Sequence, residues 1–91
     1  MNAVYDPAFL EKLKKVNIRI RKRVKERILL FSINPNNLQL NNHPLRAENL
    51  GYRSIDITSD YRAIYKDVQI GDEVVAYFVA LGTHDELYKK L

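Results

Sequence analysis

The 91-residue sequence contains no cysteine, only two histidines and no long apolar run. Without cysteine, the chain has no disulfide framework, no thiol nucleophile and no cysteine-ligated zinc site. The two histidines, His43 and His84, are too few for a metal site built from histidine alone. The longest apolar run, Val74 to Leu81, is far shorter than the roughly 20 residues of a membrane helix, so we expect no membrane-spanning segment.

The amino terminus lacks the features of an export signal, since residues 1–6 have neither a basic start nor an apolar core. Together with the absence of cysteine, this leads us to expect a cytoplasmic protein. The composition is 46% hydrophobic and 29% charged, which is typical of a folded chain and not of a disordered one. The length leaves room for a single domain over residues 1–91.

Positive charge is concentrated in one segment of the chain. Nine of the 15 Lys and Arg residues lie between Lys12 and Arg27, and only Glu26 offsets them there. Such a segment predicts an anionic partner, either nucleic acid or an acidic protein. A solvated helix face is the alternative, and the charge pattern alone leaves both open.

Two helices are predicted in the first third of the chain. Asp6-Pro7 is typical of a helix start, because Asp caps free backbone N–H groups and Pro needs no partner at the first position. Asn17 is the predicted cap of a second helix that ends at Asn34-Pro35. The short break between them favours a helical hairpin. The apolar residues at helical spacing are Phe9, Leu10, Leu13, Val16, Ile20, Val24, Ile28 and Phe31.

The hydrophobic period changes to two after Gly51. Strands are predicted over Tyr52–Thr58, Tyr61–Val68 and Val74–Leu81. The last is continuously apolar, so we expect a central strand that is covered on both faces and that ends at Gly82.

The remaining segments complete an α+β architecture. The Asn-rich segment 36–50 is predicted to be a loop, and loops of this length are often functional. Thr83 and Glu86 match a capping box that opens a short C-terminal helix, and residues 1–5 are expected to add an edge strand. We therefore expect two N-terminal helices packed on one face of a small, mainly antiparallel sheet of three to four strands, with a short C-terminal helix.

Several ionisable side chains stand in loops or at strand ends, where functional groups often lie. Such a set suits RNA cleavage without a metal, which needs a base for the ribose 2′-OH, an acid for the departing 5′ oxygen and a cation for the phosphate. His84 is the candidate acid, with Asp60 or His43 as the base. Arg62 or Arg53 is the candidate cation, because the planar guanidinium stays charged and gives two hydrogen bonds.

These residues also have purely local explanations. Asp60 is a favoured turn residue, and His43 can simply shape the loop before Pro44. Tyr61 and Tyr65 suit core or rim packing as well as base stacking. Spacing alone therefore leaves each role open.

Four ordered motifs resemble the RelE/ParE toxin superfamily, and they are most similar to its YafQ-type branch. The motifs are Asn42-His43-Pro44-Leu45, Gly51-Tyr52-Arg53, Ser59-Asp60-Tyr61-Arg62-Ala63-Ile64-Tyr65-Lys66 and Leu81-Gly82-Thr83-His84-Asp85-Glu86-Leu87-Tyr88. The resemblance implies a ribosome-dependent endoribonuclease that cuts messenger RNA, uses no metal or cofactor and binds a cognate antitoxin in a hetero-oligomer.

The resemblance also implies roles for individual residues. The catalytic positions fall on His43 in the His-Pro-Leu loop, Asp60 in the turn, Arg62 after it and His84 in Gly-Thr-His, and the candidate substrate contacts on Arg53, Tyr61 and Tyr88. The basic helix residues Arg21, Lys22 and Lys25 become candidate contacts to ribosomal RNA, whose phosphates attract clustered cations.

Asp56 departs from the family pattern, which has a histidine at this position. A carboxylate accepts a proton but donates none at neutral pH unless its pKa is raised. Either the proton transfers are redistributed, with Asp56 or Asp60 as the catalytic base and His84 as the acid, or activity is weak or absent. In a two-residue hairpin, moreover, Asp56 and Arg62 would point to opposite faces of the sheet. Two alternatives to the nuclease stay open: a ParE-like poison of DNA gyrase, and a catalytically degenerate member that only binds antitoxin.

Overall fold

The computed structural model describes residues 1–46 and 49–90. The predicted α+β class is confirmed. The elements, in chain order, are β1 (Ala3–Tyr5), α1 (Pro7–Lys15), α2 (Ile18–Ile33), a 3₁₀ turn (Leu38–Leu40), β2 (His43–Pro44), β3 (Tyr52–Asp56), β4 (Tyr61–Ile70), β5 (Glu73–Thr83) and α3 (His84–Lys90). None of the helices in this described part has both the length and the apolar character of a bilayer span.

Within the described residues, the sheet has five strands in the order β1-β5-β4-β3-β2. β1 runs parallel to β5, and the other neighbouring pairs are antiparallel. The expected edge strand at residues 1–5 is confirmed as β1. The sheet exceeds the expected three to four strands because β2 forms inside the segment expected to be a loop, where His43 pairs with Ser54 of β3. Two residues are too few to show an alternating hydrophobic pattern, so this strand can be recognised only from its pairing with β3.

The β3–β4 connection corrects the expected register. The Ile57 N–H donates to the Tyr61 carbonyl at 2.9 Å, so three residues, 58–60, form the loop instead of two. Asp56 consequently pairs directly with Arg62. Directly paired residues of antiparallel strands project to the same side, so these two side chains share one face of the sheet.

Local caps explain where the first two helices begin. Asp6 Oδ1 accepts a hydrogen bond from the Ala8 N–H at 2.8 Å, and Asn17 Oδ1 accepts one from the Ile20 N–H at 3.0 Å, which confirms both predicted helix starts. Asp6 also accepts a hydrogen bond from the Tyr77 hydroxyl at 2.6 Å. This bond, followed by the one from Ala8, lowers the Asp6 pKa, and it ties the start of α1 to β5.

The helix pair covers one face of the sheet, as expected, and we call this the helix-pair face. The Phe78 ring of β5 lies 5.7 Å from Phe9 of α1, 5.5 Å from Phe31 of α2 and 5.1 Å from Tyr65 of β4, measured between centroids. The three phenylalanines are fully buried. Because each ring buries a large apolar area, this aromatic cluster is the main core of the domain.

The opposite face carries α3, and we call it the α3 face. Its apolar cluster is small and consists of Leu45, Ile64 and Leu87. Side chains alternate between the two faces along a strand, so Asp56 and Arg62 lie on the α3 face with Ile64. The α3 face therefore combines a modest core with the polar side chains that could do chemistry.

Candidate active site

The start of α3 lies at one rim of the sheet. Thr83 and Glu86 form the predicted capping box: Glu86 Oε1 accepts from the Thr83 N–H at 2.9 Å, and Thr83 Oγ1 accepts from the Glu86 N–H at 3.2 Å. β5 continues past the expected stop at Gly82, because Gly82 still pairs with β4. The His84 N–H then donates to the Asp60 carbonyl at 3.0 Å, which joins the β3–β4 loop to the first residue of α3.

An ion pair from the other side of the molecule also anchors α3. Lys12 Nζ of α1 lies 2.7 Å from Glu86 Oε2. The hydrogen bond from Lys12, and after it the one from the Thr83 N–H, lower the Glu86 pKa to about 2. Glu86 is thus negatively charged across the neutral pH range. It forms the N-terminal cap of α3 with Thr83, and its ion pair with Lys12 links α3 to α1.

His84 and Tyr88 stand one helical turn apart on α3 and touch. Their ring centroids are 4.3 Å apart, with the planes tilted by 44°. Both residues are exposed. Tyr88 also lines a groove of about 340 Å³, which we call the His43 groove. It is lined by His43, Pro44, Leu45, Arg46, Asn49 and Tyr88.

His43 enters this groove from β2. Its Nδ1 lies 2.8 Å from the Asn41 carbonyl oxygen. Because a carbonyl only accepts, Nδ1 is the donor, and the neutral ring then has its lone pair on Nε2. Asn41 is in the left-handed conformation, with φ of 47°, which asparagine tolerates better than most residues. In this tautomer Nε2 is the ring atom of His43 that can accept a proton, and His43 shares the groove with Tyr88.

Asp56 and Arg62 chiefly contact each other and the β3–β4 loop. Arg62 Nε lies 2.9 Å from Asp56 Oδ1, and its Nη1 donates to the carbonyls of Thr58 at 2.9 Å and Ser59 at 3.1 Å. The Arg62 side chain is only 18% exposed. The structure thus places the pair on the α3 face, but it gives the guanidinium an internal role in holding the loop.

Arg53 and Tyr61 lie away from the His43 groove. Arg53 Nε donates to Asn42 Oδ1 at 2.8 Å, and Asn42 Nδ2 donates to the Tyr65 hydroxyl at 2.7 Å. Tyr61 packs against the cluster of the helix-pair face. Side chains alternate between the two faces along each strand. Arg53 pairs with Tyr65 of β4, so Arg53, Tyr65 and Tyr61 all lie on the helix-pair face. Arg53 and Tyr61 remain predicted substrate contacts that the structure does not bring to the site, and Arg53 supports β2 through Asn42.

The basic helices contain cations of two kinds. Arg21 is half-buried, and its guanidinium donates to the carbonyls of Leu13 (3.3 Å), Lys14 (3.2 Å) and Val16 (3.3 Å) at the end of α1. By contrast, other cations are exposed and make no ion pair within residues 1–46 and 49–90; these are Lys15, Arg19, Lys22 and Lys25. Of the three predicted ribosome contacts, Lys22 and Lys25 are thus available to a partner, while Arg21 caps α1.

Arg46, which is not among the predicted site residues, is exposed and lines the His43 groove. The sequence does distinguish it, because Arg46 is the one Lys or Arg in segment 36–50. No three His, Asp or Glu side chains in the described ranges converge as metal ligands do. The candidate site therefore combines the imidazoles of His43 and His84, the Tyr88 ring, the β3–β4 loop that contains Asp60, and the exposed guanidinium of Arg46.

Neither a protein-family model nor a curated protein matches the chain, but solved structures do. YafQ from Escherichia coli BL21(DE3) is 25% identical with a TM-score of 0.75, over 96% of this chain and 97% of that one. The E. coli DinJ–YafQ complex gives 26% identity and a TM-score of 0.66, over 96% and 97%. The YoeB/ParE toxin of Agrobacterium tumefaciens gives 20% and 0.74, over 92% and 99%.

This is a RelE/ParE-like fold of the YafQ type. The similarity extends over nearly the whole chain. The structural neighbours are toxins, and DinJ–YafQ is a toxin–antitoxin complex. The YafQ-like chain differs from the expected motif at Asp56, whose carboxylate is paired with Arg62.

Proposed function

We propose that this YafQ-like chain is the toxin of a type II toxin–antitoxin pair and cleaves messenger RNA on the ribosome. The observation that carries the proposal is the arrangement around the His43 groove: His43 and Tyr88 line it, and the His84 ring contacts Tyr88. One imidazole thus lines the groove together with Tyr88, and the other contacts the same aromatic ring. A nucleotide in the groove would meet His43 and Tyr88, and in this proposal its next phosphate extends towards His84.

The reaction follows from these positions. His43 Nε2 removes the proton of the ribose 2′-OH, and the 2′ oxygen attacks the adjacent phosphorus. The bond from phosphorus to the 5′ oxygen breaks, and His84 supplies the proton to that oxygen. The products are a 2′,3′-cyclic phosphate and a 5′-hydroxyl end. Asp60, whose carbonyl accepts from the His84 N–H, is the alternative base.

Asp56 takes no part in proton transfer in this scheme. Its carboxylate lies 2.9 Å from the Arg62 guanidinium, so it serves as the partner of that cation. His43, which is itself a position of the family motif, is therefore the proposed base. Because a ribosome can hold the messenger ready for attack, two imidazoles and a phosphate contact are sufficient.

Lys22 and Lys25 on α2 are the proposed contacts to ribosomal RNA, and a cognate antitoxin is the proposed protein partner, as in the DinJ–YafQ complex. The variant Lys22→Glu/Lys25→Glu should bind ribosomes more weakly and with a flatter salt dependence, because fewer counterions are released. Co-sedimentation at several salt concentrations measures this. Unchanged binding would show that both lysines form a solvated face.

The direct test is primer extension on messenger RNA from ribosomes incubated with the purified chain. We expect discrete cuts, which fall by at least about 100-fold in His84→Ala and in His43→Ala while circular dichroism stays unchanged. Gln69→Ala, near the β4–β5 turn, is the matched control and should cut normally. If the parent stops growth but cuts nothing, and gyrase-linked DNA breaks appear, the ParE-like alternative is correct.

A degenerate antitoxin-binding member is the second candidate. The observation in its favour is the Asp56–Arg62 pair, which commits two predicted catalytic groups to each other. This candidate predicts antitoxin binding with no growth arrest and no cutting by the parent. The same primer-extension experiment, combined with a binding assay, separates it from the nuclease.

A further inference from the structure

Three arginines lie in or near the sheet strands, and two of them are occupied. The Arg62 guanidinium contacts Asp56 and two loop carbonyls. Arg53 is bonded to Asn42 on the helix-pair face. Arg46 is exposed, and within residues 1–46 and 49–90 its guanidinium makes no hydrogen bond or ion pair. A phosphate entering the His43 groove therefore meets Arg46.

We propose that Arg46 is the residue that binds the RNA phosphate, and that Arg62 instead holds the β3–β4 loop. The nature of the ligand rests on the proposed function, since the exposed guanidinium of Arg46 by itself indicates only an anion. Its volume of about 340 Å³ lies at the low end of the roughly 300–1,000 Å³ typical of small-ligand sites. One nucleotide fits that scale, whereas a peptide helix does not.

The backbone around Arg46 is held on both sides. The Leu45 N–H donates to the Tyr52 carbonyl at 2.9 Å, and the Asn49 N–H donates to the Arg46 carbonyl at 3.2 Å. Leu45 itself is buried in the cluster of the α3 face. Arg46 thus projects from a short paired segment, three residues after the proposed base His43.

The chemistry of the groove also favours a phosphodiester. Arginine offers a planar fork of donors that matches two phosphate oxygens and stays charged at every physiological pH. Asn49 adds a further group that can donate hydrogen bonds, while Pro44 supplies apolar surface for a base or sugar. Arg46 therefore binds the phosphate between the nucleotides while His43 reaches the 2′-OH.

The test is titration of the purified chain with adenosine 3′-monophosphate, followed by calorimetry and by the NMR signals of both imidazoles. Arg46→Ala should weaken binding by about 10- to 100-fold, because hydrogen bonds to charged groups are strong. Arg46→Lys should fall between Arg46→Ala and the parent. Arg19→Ala removes the same charge from an exposed position on α2 and should bind within twofold of the parent.

The outcomes separate the two proposals. Equal affinity of Arg46→Ala and parent, equal loss in Arg19→Ala, or equal binding of plain adenosine would each overturn the assignment of Arg46. Ribosome cleavage is measured in parallel on the same proteins. If nucleotide binding depends on Arg46 but the parent cuts no messenger, the nuclease proposal fails while the phosphate site stands.

Discussion

The two faces of the sheet differ in what holds them. The helix-pair face is closed by an aromatic cluster in which Phe9, Phe31 and Phe78 are fully buried. The α3 face has a buried cluster of three aliphatic residues, one of them on the seven-residue helix α3, with Tyr52, Val79 and Ala80 packed against it. The comparison indicates that the helix-pair face supplies the larger core, while the α3 face carries the exposed side chains of His84 and Arg46.

The largest expected difference comes from one truncation on each face. Phe78→Ala should lower the free energy of unfolding by about 3–5 kcal/mol, because it removes the ring around which the aromatic cluster packs. Leu87→Ala on the α3 face should cost about 2 kcal/mol, the low end for a leucine, since a short helix can resettle. Urea unfolding measures both. Equal costs would show that the α3 face contributes as much core as the helix-pair face.

Arg62 gives the next largest effect and separates stability from catalysis on the α3 face. Arg62→Ala removes the cation beside Asp56 and the donor to two loop carbonyls, so we expect a loss of about 2 kcal/mol in unfolding free energy. Lys66→Ala, on the same strand and with no ion pair in the described ranges, should change stability by less than about 0.5 kcal/mol. If Arg62→Ala unfolds like the parent but loses cleavage, Arg62 is a catalytic group after all.

Much of the fold was predictable because its signals are local. The caps at Asp6 and Asn17, and the box formed by Thr83 and Glu86, each need only the next few residues, and the structure confirms all three. β2 was missed, since two residues become a strand only through their partner on β3. The expected two-residue loop was wrong for a related reason: Ser59-Asp60 alone suits several hairpin lengths.

The candidate site was predictable only in part. Four motif residues lie near one another: His43 and Tyr88 line the groove, the His84 ring contacts Tyr88, and the Asp60 carbonyl accepts from the His84 N–H. Their catalytic roles stay predictions. Arg53 lies on the opposite face because it alternates with Ser54 and Asp56, which the period of β3 already implied. The groove that contains Arg46 is lined by β2, the segment after it and Tyr88 of α3, so it arises from residues far apart in the chain and no local pattern indicates it.

Arg21 provides a smaller effect, on the helix-pair side. Its guanidinium bonds three carbonyls at the end of α1, so Arg21→Ala should cost about 1 kcal/mol by leaving that helix end without a cap. Lys25→Ala is the matched exposed change and should stay within about 0.5 kcal/mol. Thermal unfolding compares the two. If Arg21→Ala costs no more stability than Lys25→Ala, Arg21 does not cap α1, and it is again a candidate contact to ribosomal RNA.

The smallest expected effect concerns Glu86 and is read from its pH dependence. Its pKa in the folded chain is about 2, below the ordinary 4.5, chiefly because Lys12 donates a hydrogen bond to it. A lowered carboxyl pKa stabilises the fold above pH 4.5, and this contribution is lost as the pH falls from 4.5 towards 2. Since the side chain is 42% exposed, solvent screening limits the gain to about 0.5–1 kcal/mol.

Glu86→Gln isolates this contribution, because glutamine preserves the capping box and removes only the charge. The difference in unfolding free energy between parent and variant should be present at pH 7 and vanish near pH 2. The pKa of Asp6 is also lowered. Its contribution to the pH dependence cancels in that difference, because both proteins contain Asp6. Glu11→Gln, from an exposed pair with Lys14, is the control and should show no such trend. A difference independent of pH would mean that Glu86 holds α3 through its cap alone, and that the α3 face owes nothing to the charge on α1.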